Sequence, residues 1–136
     1  MKRILIVDDD SDLLKLYRQA FLNAAFVVDA SQTLKEAEEL VEQNKYDVIL
    51  LDLLFPNNNS LSVIRQIRRK SSLNSETPVI ALTNLESGDI TQKAIEYGAN
   101  ECLFKATQTP RTIFETALKF AKNNSSGNNN STSRYT

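Results

Sequence analysis

Residues 47–56 have the sequence DVILLDLLFP, in which four consecutive apolar residues lead directly to Asp52. A run this apolar is typical of a strand covered on both faces, as the strands of parallel sheets are. Two similar runs, Ile4–Val7 and Val79–Leu82, also end at polar residues. Weaker strand candidates lie at Phe26–Ala30 and Cys102–Phe104.

Segments with helical periodicity alternate with these strand candidates. Each has an apolar stripe at a spacing of three or four residues, which indicates an amphipathic helix. The stripes include Tyr17, Ala37, Ile64, Ala94 and Ala117. Five strand–helix units in series predict an α/β fold with right-handed crossovers. We therefore expect a single doubly wound parallel sheet of five strands with helices on both faces.

The composition divides the chain into a domain and a tail. Residues 1–122 are enough to close a single hydrophobic core. The last stretch, Asn123–Thr136, consists mostly of Asn and Ser, which cannot bury a core, and we predict that it is disordered.

Several functional classes are excluded by the residues that the chain contains. The net charge is −1, which gives no basic field for direct nucleic-acid binding. The absence of His excludes histidine triads, and a single cysteine, Cys102, excludes an internal disulfide and a cysteine-rich zinc site. No apolar run approaches the roughly 20 residues of a membrane span, and no signal peptide is recognisable. We expect a cytoplasmic protein without a membrane segment.

Two charged features have structural interpretations. Asp10 stands before the first helical segment and is predicted to be its N-cap. The basic run Arg65–Lys70 falls at the end of the third helical segment. We interpret it as a solvated helix end whose cations favour the C-terminal dipole.

The remaining polar residues of note follow the predicted strands. Asp8 and Asp9 follow the first strand, Asp52 the third, Thr83 the fourth and Lys105 the fifth. Because ligands of open α/β sheets bind outside the carboxyl ends of the strands, these side chains are predicted to share one site.

A cluster of three carboxylates restricts the chemistry of that site. Like charges raise one another's pKa values, so cations are needed to offset them. Lys105 supplies one charge. A divalent cation that prefers oxygen ligands, such as Mg²⁺, would supply more. A carboxylate can also act as a nucleophile and form an aspartyl phosphate. The cations and the Thr83 hydroxyl would then each interact with a phosphoryl oxygen.

Four segments together resemble the receiver domain of bacterial two-component response regulators. They are 4–10 (ILIVDDD), 47–56 (DVILLDLLFP), 78–83 (PVIALT) and 98–105 (GANECLFK). The resemblance extends from Lys2 to about Lys122. It implies a flavodoxin-like fold with strand order 2-1-3-4-5 and five helices.

The resemblance also implies roles for the acidic residues. Asp52 is expected to accept a phosphoryl group from the phosphohistidine of a sensor kinase. Asp8, Asp9 and Asp52 are expected to hold Mg²⁺, with the backbone carbonyl of Leu54 as a further ligand.

The same resemblance gives Thr83 the role of the switch hydroxyl and Lys105 that of the ammonium that pairs with the phosphoryl group. It implies a phosphorylation-driven signalling switch and not a turnover enzyme. The expected partners are a sensor histidine kinase or phosphotransfer protein and a downstream protein. We expect a monomer or weak dimer, acting alone or excised from a longer regulator.

Five residues depart from the pattern of this family. Ala106 stands where a cis proline is common. A cis bond before a non-proline residue costs roughly 2.5–4 kcal/mol, so we expect a trans or a strained bond. Cys102 replaces the aromatic switch residue, and Asn84 replaces a small residue. Asn59-Ser60 replaces Asp-Gly, so the turn there is expected to rely on the tolerance of Asn for left-handed geometry.

Two further positions bear on the lifetime of a phosphoryl group. The residues two after Asp52 and two after Thr83 commonly tune hydrolysis in this family, and here both are Leu, Leu54 and Leu85. Neither can orient an attacking water, so slow self-dephosphorylation is predicted.

Three other functions remain open for this chain. A pseudo-receiver would have the same fold and serve as a constitutive protein-binding module. An Mg²⁺-dependent phosphohydrolase would need a second carboxylate at Leu54. A flavodoxin would need a Gly-rich or Ser/Thr-rich phosphate loop after the first strand, where this chain has three acids.

Overall fold

The computed structural model describes residues 1–84 and 88–125. Strands and helices alternate along the chain. The strands are β1 (Arg3–Val7), β2 (Val27–Ser31), β3 (Val48–Asp52), β4 (Val79–Thr83) and β5 (Glu101–Phe104). The helices are α1 (Ser11–Asn23), α2 (Leu34–Gln43), α3 (Ser60–Arg68), α4 (Gly88–Tyr97) and α5 (Pro110–Ser125), with a short 3₁₀ turn at Pro56–Asn58.

The five strands form one parallel sheet in the order β2-β1-β3-β4-β5. This order confirms the predicted doubly wound fold, and both weaker strand candidates are strands. In the register of the central strands, Val7 is the partner of Leu51 and Asp52 is the partner of Leu82. The carboxyl ends of β1, β3 and β4 therefore lie side by side.

The sheet is buried on both faces, as the apolar runs predict. Alternate residues of β3 enter opposite halves of the core, with Ile49 and Leu51 on one side and Val48 and Leu50 on the other. Helices α2, α3 and α4 cover the first side, and α1 and α5 cover the second. All five residues of β3 are buried, so Asp52 ends a strand that is almost completely shielded from water.

The first helix begins at its predicted cap. The Asp10 carboxylate accepts hydrogen bonds from the backbone N–H groups of Asp12 (3.0 Å) and Leu13 (3.2 Å). These bonds satisfy two of the donors that a helix leaves unpaired at its N-terminus. The Asp10 carboxylate is therefore occupied in capping α1, unlike the carboxylates of Asp8 and Asp9.

The interpretation of Arg65–Lys70 as a solvated helix end is wrong for its central residue. Arg68 is partly buried, and its Nε donates to the Gly98 carbonyl at 3.0 Å. Its Nη1 donates to the Thr77 carbonyl at 2.7 Å and its Nη2 to Asn100 Oδ1 at 2.8 Å. A guanidinium has five donors in a fixed plane and can join several segments at once. Arg68 thus ties the end of α3 to the segments that precede β4 and β5.

The last helix extends to Ser125 and so includes the first three residues of the predicted tail, which was expected to begin at Asn123. The rest of that tail lies outside the described residues. Within the described part of the chain, no helix combines the length and apolarity required to span a bilayer.

Candidate functional site

The five side chains that were predicted to share the site all lie at the carboxyl edge of the sheet. Asp8 and Asp9 follow β1, Asp52 is the last residue of β3, Thr83 is the last residue of β4, and Lys105 follows β5. Since β1, β3, β4 and β5 are consecutive in the sheet, these side chains come from four adjacent strands.

Three carboxylates converge at this edge. Asp8, Asp9 and Asp52 each place a carboxylate oxygen within 4.8 Å of the others. Asp8 and Asp52 are buried, at 0% and 1% exposure, whereas Asp9 is exposed. The cluster therefore has two acids beneath the surface and one at the rim, with oxygen atoms close enough to bind one cation together.

Among the described residues, one ammonium group forms ion pairs with both buried acids. Lys105 Nζ lies 3.0 Å from Asp8 Oδ2 and 3.3 Å from Asp52 Oδ2. Its side chain is 20% exposed, so the group reaches from the surface into the cluster. One positive charge for two buried and one exposed negative charges leaves the site acidic.

Local backbone bonds fix the orientation of both buried acids. Asp8 Oδ1 accepts a hydrogen bond from the N–H of Asp10 at 2.9 Å, and Asp52 Oδ1 accepts one from the N–H of Leu54 at 3.0 Å. This bond to a backbone N–H two residues on is a common turn device of Asp. It leaves the second oxygen of each acid directed at Lys105.

The surroundings shift the pKa values of the charged groups. Burial and the negative charge of Asp8 raise the pKa of Asp52 to about 6, although the Leu54 N–H and Lys105 oppose the shift. Burial lowers the pKa of Lys105, but the charges of Asp52 and Asp8 outweigh it and the pKa is raised. Lys105 therefore stays protonated, and Asp52 is ionised above about pH 6.

Within residues 1–84 and 88–125, two buried side-chain oxygen atoms lack a hydrogen bond. They are Thr83 Oγ1 and Asp8 Oδ2, the latter held only by its ion pair with Lys105. An unpaired buried polar atom costs about 1–3 kcal/mol, and native structures contain few of them. The carboxylate oxygens are suitable ligands for a hard divalent cation. The unpaired Thr83 hydroxyl could donate a hydrogen bond to a bound molecule that offers oxygen atoms.

Some features of the site could not be predicted from the sequence. The buried hydroxyl of Ser60 donates a 2.8 Å hydrogen bond to the carbonyl of Asp52. The only signal in the sequence was that Ser60 departs from the usual glycine. The expectation of left-handed geometry at Asn59 is wrong, because Asn59 has a φ of −68°. Asn57 adopts that geometry instead, with a φ of 63°, because the chain turns within the 3₁₀ segment before it enters α3.

Two departures from the family pattern lie at β5, with Cys102 inside the strand and Ala106 shortly after it. No cis peptide bond occurs in the described part of the chain, so Lys105 and Ala106 are joined by a trans bond, one of the two expected outcomes. Cys102 is half-buried, and its Sγ lies 3.9 Å from the Thr91 carbonyl of α4. Burial raises the pKa of its thiol to about 11, so the group is a neutral thiol at physiological pH. Leu54 is 37% exposed, and Leu85 lies outside the described residues.

Comparison with known proteins identifies relatives by sequence. The profile of the response regulator receiver domain matches residues 4–117. The response regulator ArlR of Staphylococcus saprophyticus is 34% identical over 105 residues, which are 77% of this chain and 46% of that protein. The transcriptional regulatory protein CiaR of Streptococcus pneumoniae is 36% identical over 108 residues, which are 77% of this chain and 45% of that protein. The chain therefore spans about half the length of these curated relatives.

Solved structures share the fold. A CheY-like receiver domain protein of Methanospirillum hungatei superposes with a TM-score of 0.83 at 22% identity, covering 94% of this chain and 99% of that one. A Burkholderia pseudomallei response regulator with a phosphorylated aspartic acid, a calcium ion and citrate has a TM-score of 0.75 at 22% identity. The superposition covers 90% of this chain and 70% of that one. The match of the family profile, supported by the strand order, shows that this chain belongs to the family of response regulator receiver domains.

Proposed function

We propose that this receiver domain is a phosphoryl-accepting signalling switch in which Asp52 is the acceptor. The observation that carries the proposal is the shared position of Lys105 Nζ, 3.0 Å from Asp8 and 3.3 Å from Asp52 in an otherwise acidic cluster. An ammonium there can pair with Asp52 before phosphorylation and with a phosphoryl oxygen afterwards. The switch is modified once per signal and is not a turnover enzyme.

The transfer needs little from the protein beyond position and charge. One carboxylate oxygen of Asp52 attacks the phosphorus of a phosphohistidine on a sensor kinase or phosphotransfer protein. A P–O bond forms, the P–N bond breaks, and the imidazole leaves with the electron pair of that bond. Because the pKa of Asp52 is about 6, the carboxylate is ionised and nucleophilic at neutral pH.

Mg²⁺ is the proposed cofactor. Asp8, Asp9 and Asp52 would hold it, and the backbone carbonyl of Leu54 would be a fourth oxygen ligand. When bound, the ion neutralises charge on the phosphoryl oxygens during transfer. The spacing of the three carboxylates supports this site. So does the solved Burkholderia pseudomallei relative, which has a phosphorylated aspartic acid and a calcium ion.

Thr83 is the proposed switch residue. Its buried hydroxyl has no hydrogen-bond partner among the residues that the structure describes, so a phosphoryl oxygen on the neighbouring strand end would satisfy it. That new bond would favour a second conformation of the domain, which is how phosphorylation shifts its population. Cys102 stands where an aromatic side chain commonly reports this change, so transmission here does not use an aromatic rotamer.

The proposed partners follow from the same function. A sensor histidine kinase or phosphotransfer protein supplies the phosphoryl group, and a downstream protein reads the activated state. Curated relatives are named as transcriptional regulatory proteins and are about twice as long, so this domain, at residues 1–122, would control an output function and not contact nucleic acid itself. We propose a cytoplasmic domain that is a monomer or weak dimer.

The test uses a small phosphodonor. Incubation with acetyl phosphate and Mg²⁺ is expected to add the mass of one phosphoryl group, and Asp52→Asn or excess EDTA is expected to prevent the gain. Glu39→Gln, which removes an exposed acid of α2, is the matched control and should behave as wild type. No gain in the wild type, or a gain that persists in Asp52→Asn, would favour a pseudo-receiver that binds partners without phosphorylation.

A further inference from the structure

A hydroxyl outside the predicted site holds the backbone of Asp52. Ser60 is 1% exposed and is the first residue of α3. Its Oγ donates a 2.8 Å hydrogen bond to the carbonyl of Asp52, eight positions earlier in the chain. The side chain therefore joins the start of a helix to the end of the strand that carries the acceptor.

This bond does not have the usual purpose of serine at a helix start. Such a residue normally accepts a hydrogen bond from an N–H group of its own helix. Asn59, at the N-cap of α3, makes no side-chain capping bond, and Ser60 donates outward to β3. Ser62 gives the contrast, because its hydroxyl donates to the Asn59 carbonyl within its own turn at 2.8 Å.

The peptide unit between Asp52 and Leu53 is consequently held at both ends. Its carbonyl accepts from Ser60, and its N–H donates to the carbonyl of Leu82 in β4 at 2.8 Å. This unit determines the direction of the Asp52 side chain and of the next residues. The Leu54 N–H then reaches back to Asp52 Oδ1 at 3.0 Å.

We propose that Ser60 is a positioning residue of the metal site. By fixing the Asp52–Leu53 peptide, it holds the Asp52 carboxylate and the Leu54 carbonyl in the arrangement that binds Mg²⁺. This inference rests on the proposed function, in which those two groups are ligands. Residues that orient metal ligands contribute to affinity without touching the ion, and their loss typically weakens binding by about tenfold or more.

The test measures binding of Mg²⁺ alone, by isothermal titration calorimetry, for wild type, Ser60→Ala, Ser60→Gly and the control Ser62→Ala. Both Ser60 variants are expected to bind Mg²⁺ about tenfold more weakly, and the control is expected to match wild type. Glycine is included because it is the common residue at this position in the family and is expected to fold. In phosphorylation by acetyl phosphate, the half-saturating Mg²⁺ concentration should rise for both Ser60 variants.

Unfolding in EDTA separates this role from a structural one. A lower unfolding midpoint with unchanged Mg²⁺ affinity would assign Ser60 to stability alone and overturn the inference. If the wild type neither binds Mg²⁺ nor takes up a phosphoryl group, the proposed function itself fails. If the wild type does both and the two Ser60 variants equal it, only the role of Ser60 is refuted.

Discussion

The ammonium of Lys105 and the carboxylate of Asp8 lie 3.0 Å apart, with the Asp8 side chain only 1% exposed. The same ammonium is 3.3 Å from Asp52, so one cation serves two buried acids. A buried ion pair adds little when complete, but removing one partner leaves a charge without compensation and is costly. Lys105 is therefore expected to matter for stability as well as for phosphoryl transfer.

Replacing Lys105 with Met removes the charge and keeps most of the volume. At pH 8 in EDTA, we expect the free energy of unfolding to fall by about 2–3 kcal/mol, below the 3–5 kcal/mol of a fully buried pair because Lys105 is partly exposed. At pH 5 the loss should be smaller. Removing the Lys105 charge raises the pKa of Asp52 further, so its carboxyl group is protonated and neutral at that pH. Urea unfolding followed by circular dichroism measures both values.

Lys119→Met is the control for this substitution, because Lys119 is an exposed lysine of α5. Its effect should stay within about 0.5 kcal/mol at both pH values. A Lys105→Met variant as stable as the control at pH 8 would show that the acids do not depend on this ammonium.

Asp52 is expected to destabilise the metal-free domain at neutral pH. Its pKa is raised from 3.8 to about 6 in the folded state, so its contribution to stability is full below about pH 4 and is lost as the pH rises through 6. A shift of about two pK units corresponds to at most about 3 kcal/mol. In EDTA at pH 8, Asp52→Asn should therefore unfold at a higher urea concentration than wild type, with the difference vanishing near pH 4. An Asn variant less stable than wild type at pH 8 would contradict this assignment.

A substitution at Asp9 distinguishes an effect on metal binding from an effect on folding. Asp9 is exposed and belongs to the acidic cluster, so Asp9→Asn should change the stability of the metal-free domain by no more than about 0.5 kcal/mol. Wild type should gain about 3 kcal/mol at an Mg²⁺ concentration a hundred times its Kd, and the variant should lose most of that gain. Thermal unfolding with Mg²⁺ or EDTA measures the difference, and Asp12→Asn, an exposed acid in the first turn of α1, is the control. An equal Mg²⁺ gain in both variants would exclude Asp9 as a ligand.

Leu54 bears on how long the aspartyl phosphate survives. Its side chain is 37% exposed beside Asp52 and offers no group that could orient a water molecule. We expect the phosphorylated protein to persist for minutes or longer with Mg²⁺, and Leu54→Asn to shorten its lifetime by about tenfold, less than a dedicated general base contributes. Decay followed by intact mass checks both, and loss of the phosphoryl group from wild type within seconds would contradict the prediction.

The sequence was sufficient for the topology and for the edge of the sheet at which the site lies. Apolar runs such as Ile4–Val7 identify buried strands, and parallel strands bring the residues that follow them to one edge. The location of Asp52 at this edge of the sheet was therefore predictable from the apolar run that precedes it. The departures at Ala106 and Cys102 were also visible as single residue changes.

Features that depend on distant pairing were not predictable. Arg68 lies in a basic run that fits an exposed helix end, and its acceptors come from segments about 10 and 30 positions away. Ser60 likewise finds its acceptor only after α3 docks against β3. Asn57 and Asn59 are chemically identical, so the sequence could not indicate which one takes the left-handed conformation. In each case tertiary geometry decides between local alternatives of similar energy.

The contacts of Arg68 predict that lysine cannot replace it. The guanidinium donates in three directions, to Gly98, Thr77 and Asn100, whereas an ammonium on a flexible stem cannot meet all three acceptors. Arg68→Lys is expected to lower the free energy of unfolding by about 2–4 kcal/mol, since hydrogen bonds to charged groups contribute about 1.5–3 kcal/mol each. Arg69→Lys, at the next and exposed position, should change it by less than about 0.5 kcal/mol. Urea unfolding at pH 7 compares the two variants, and equal losses would show that the network adds nothing specific to stability.

Because these contacts precede β4 and β5, at the opposite end of the sheet from Asp52, the Mg²⁺ affinity of folded Arg68→Lys should equal that of wild type.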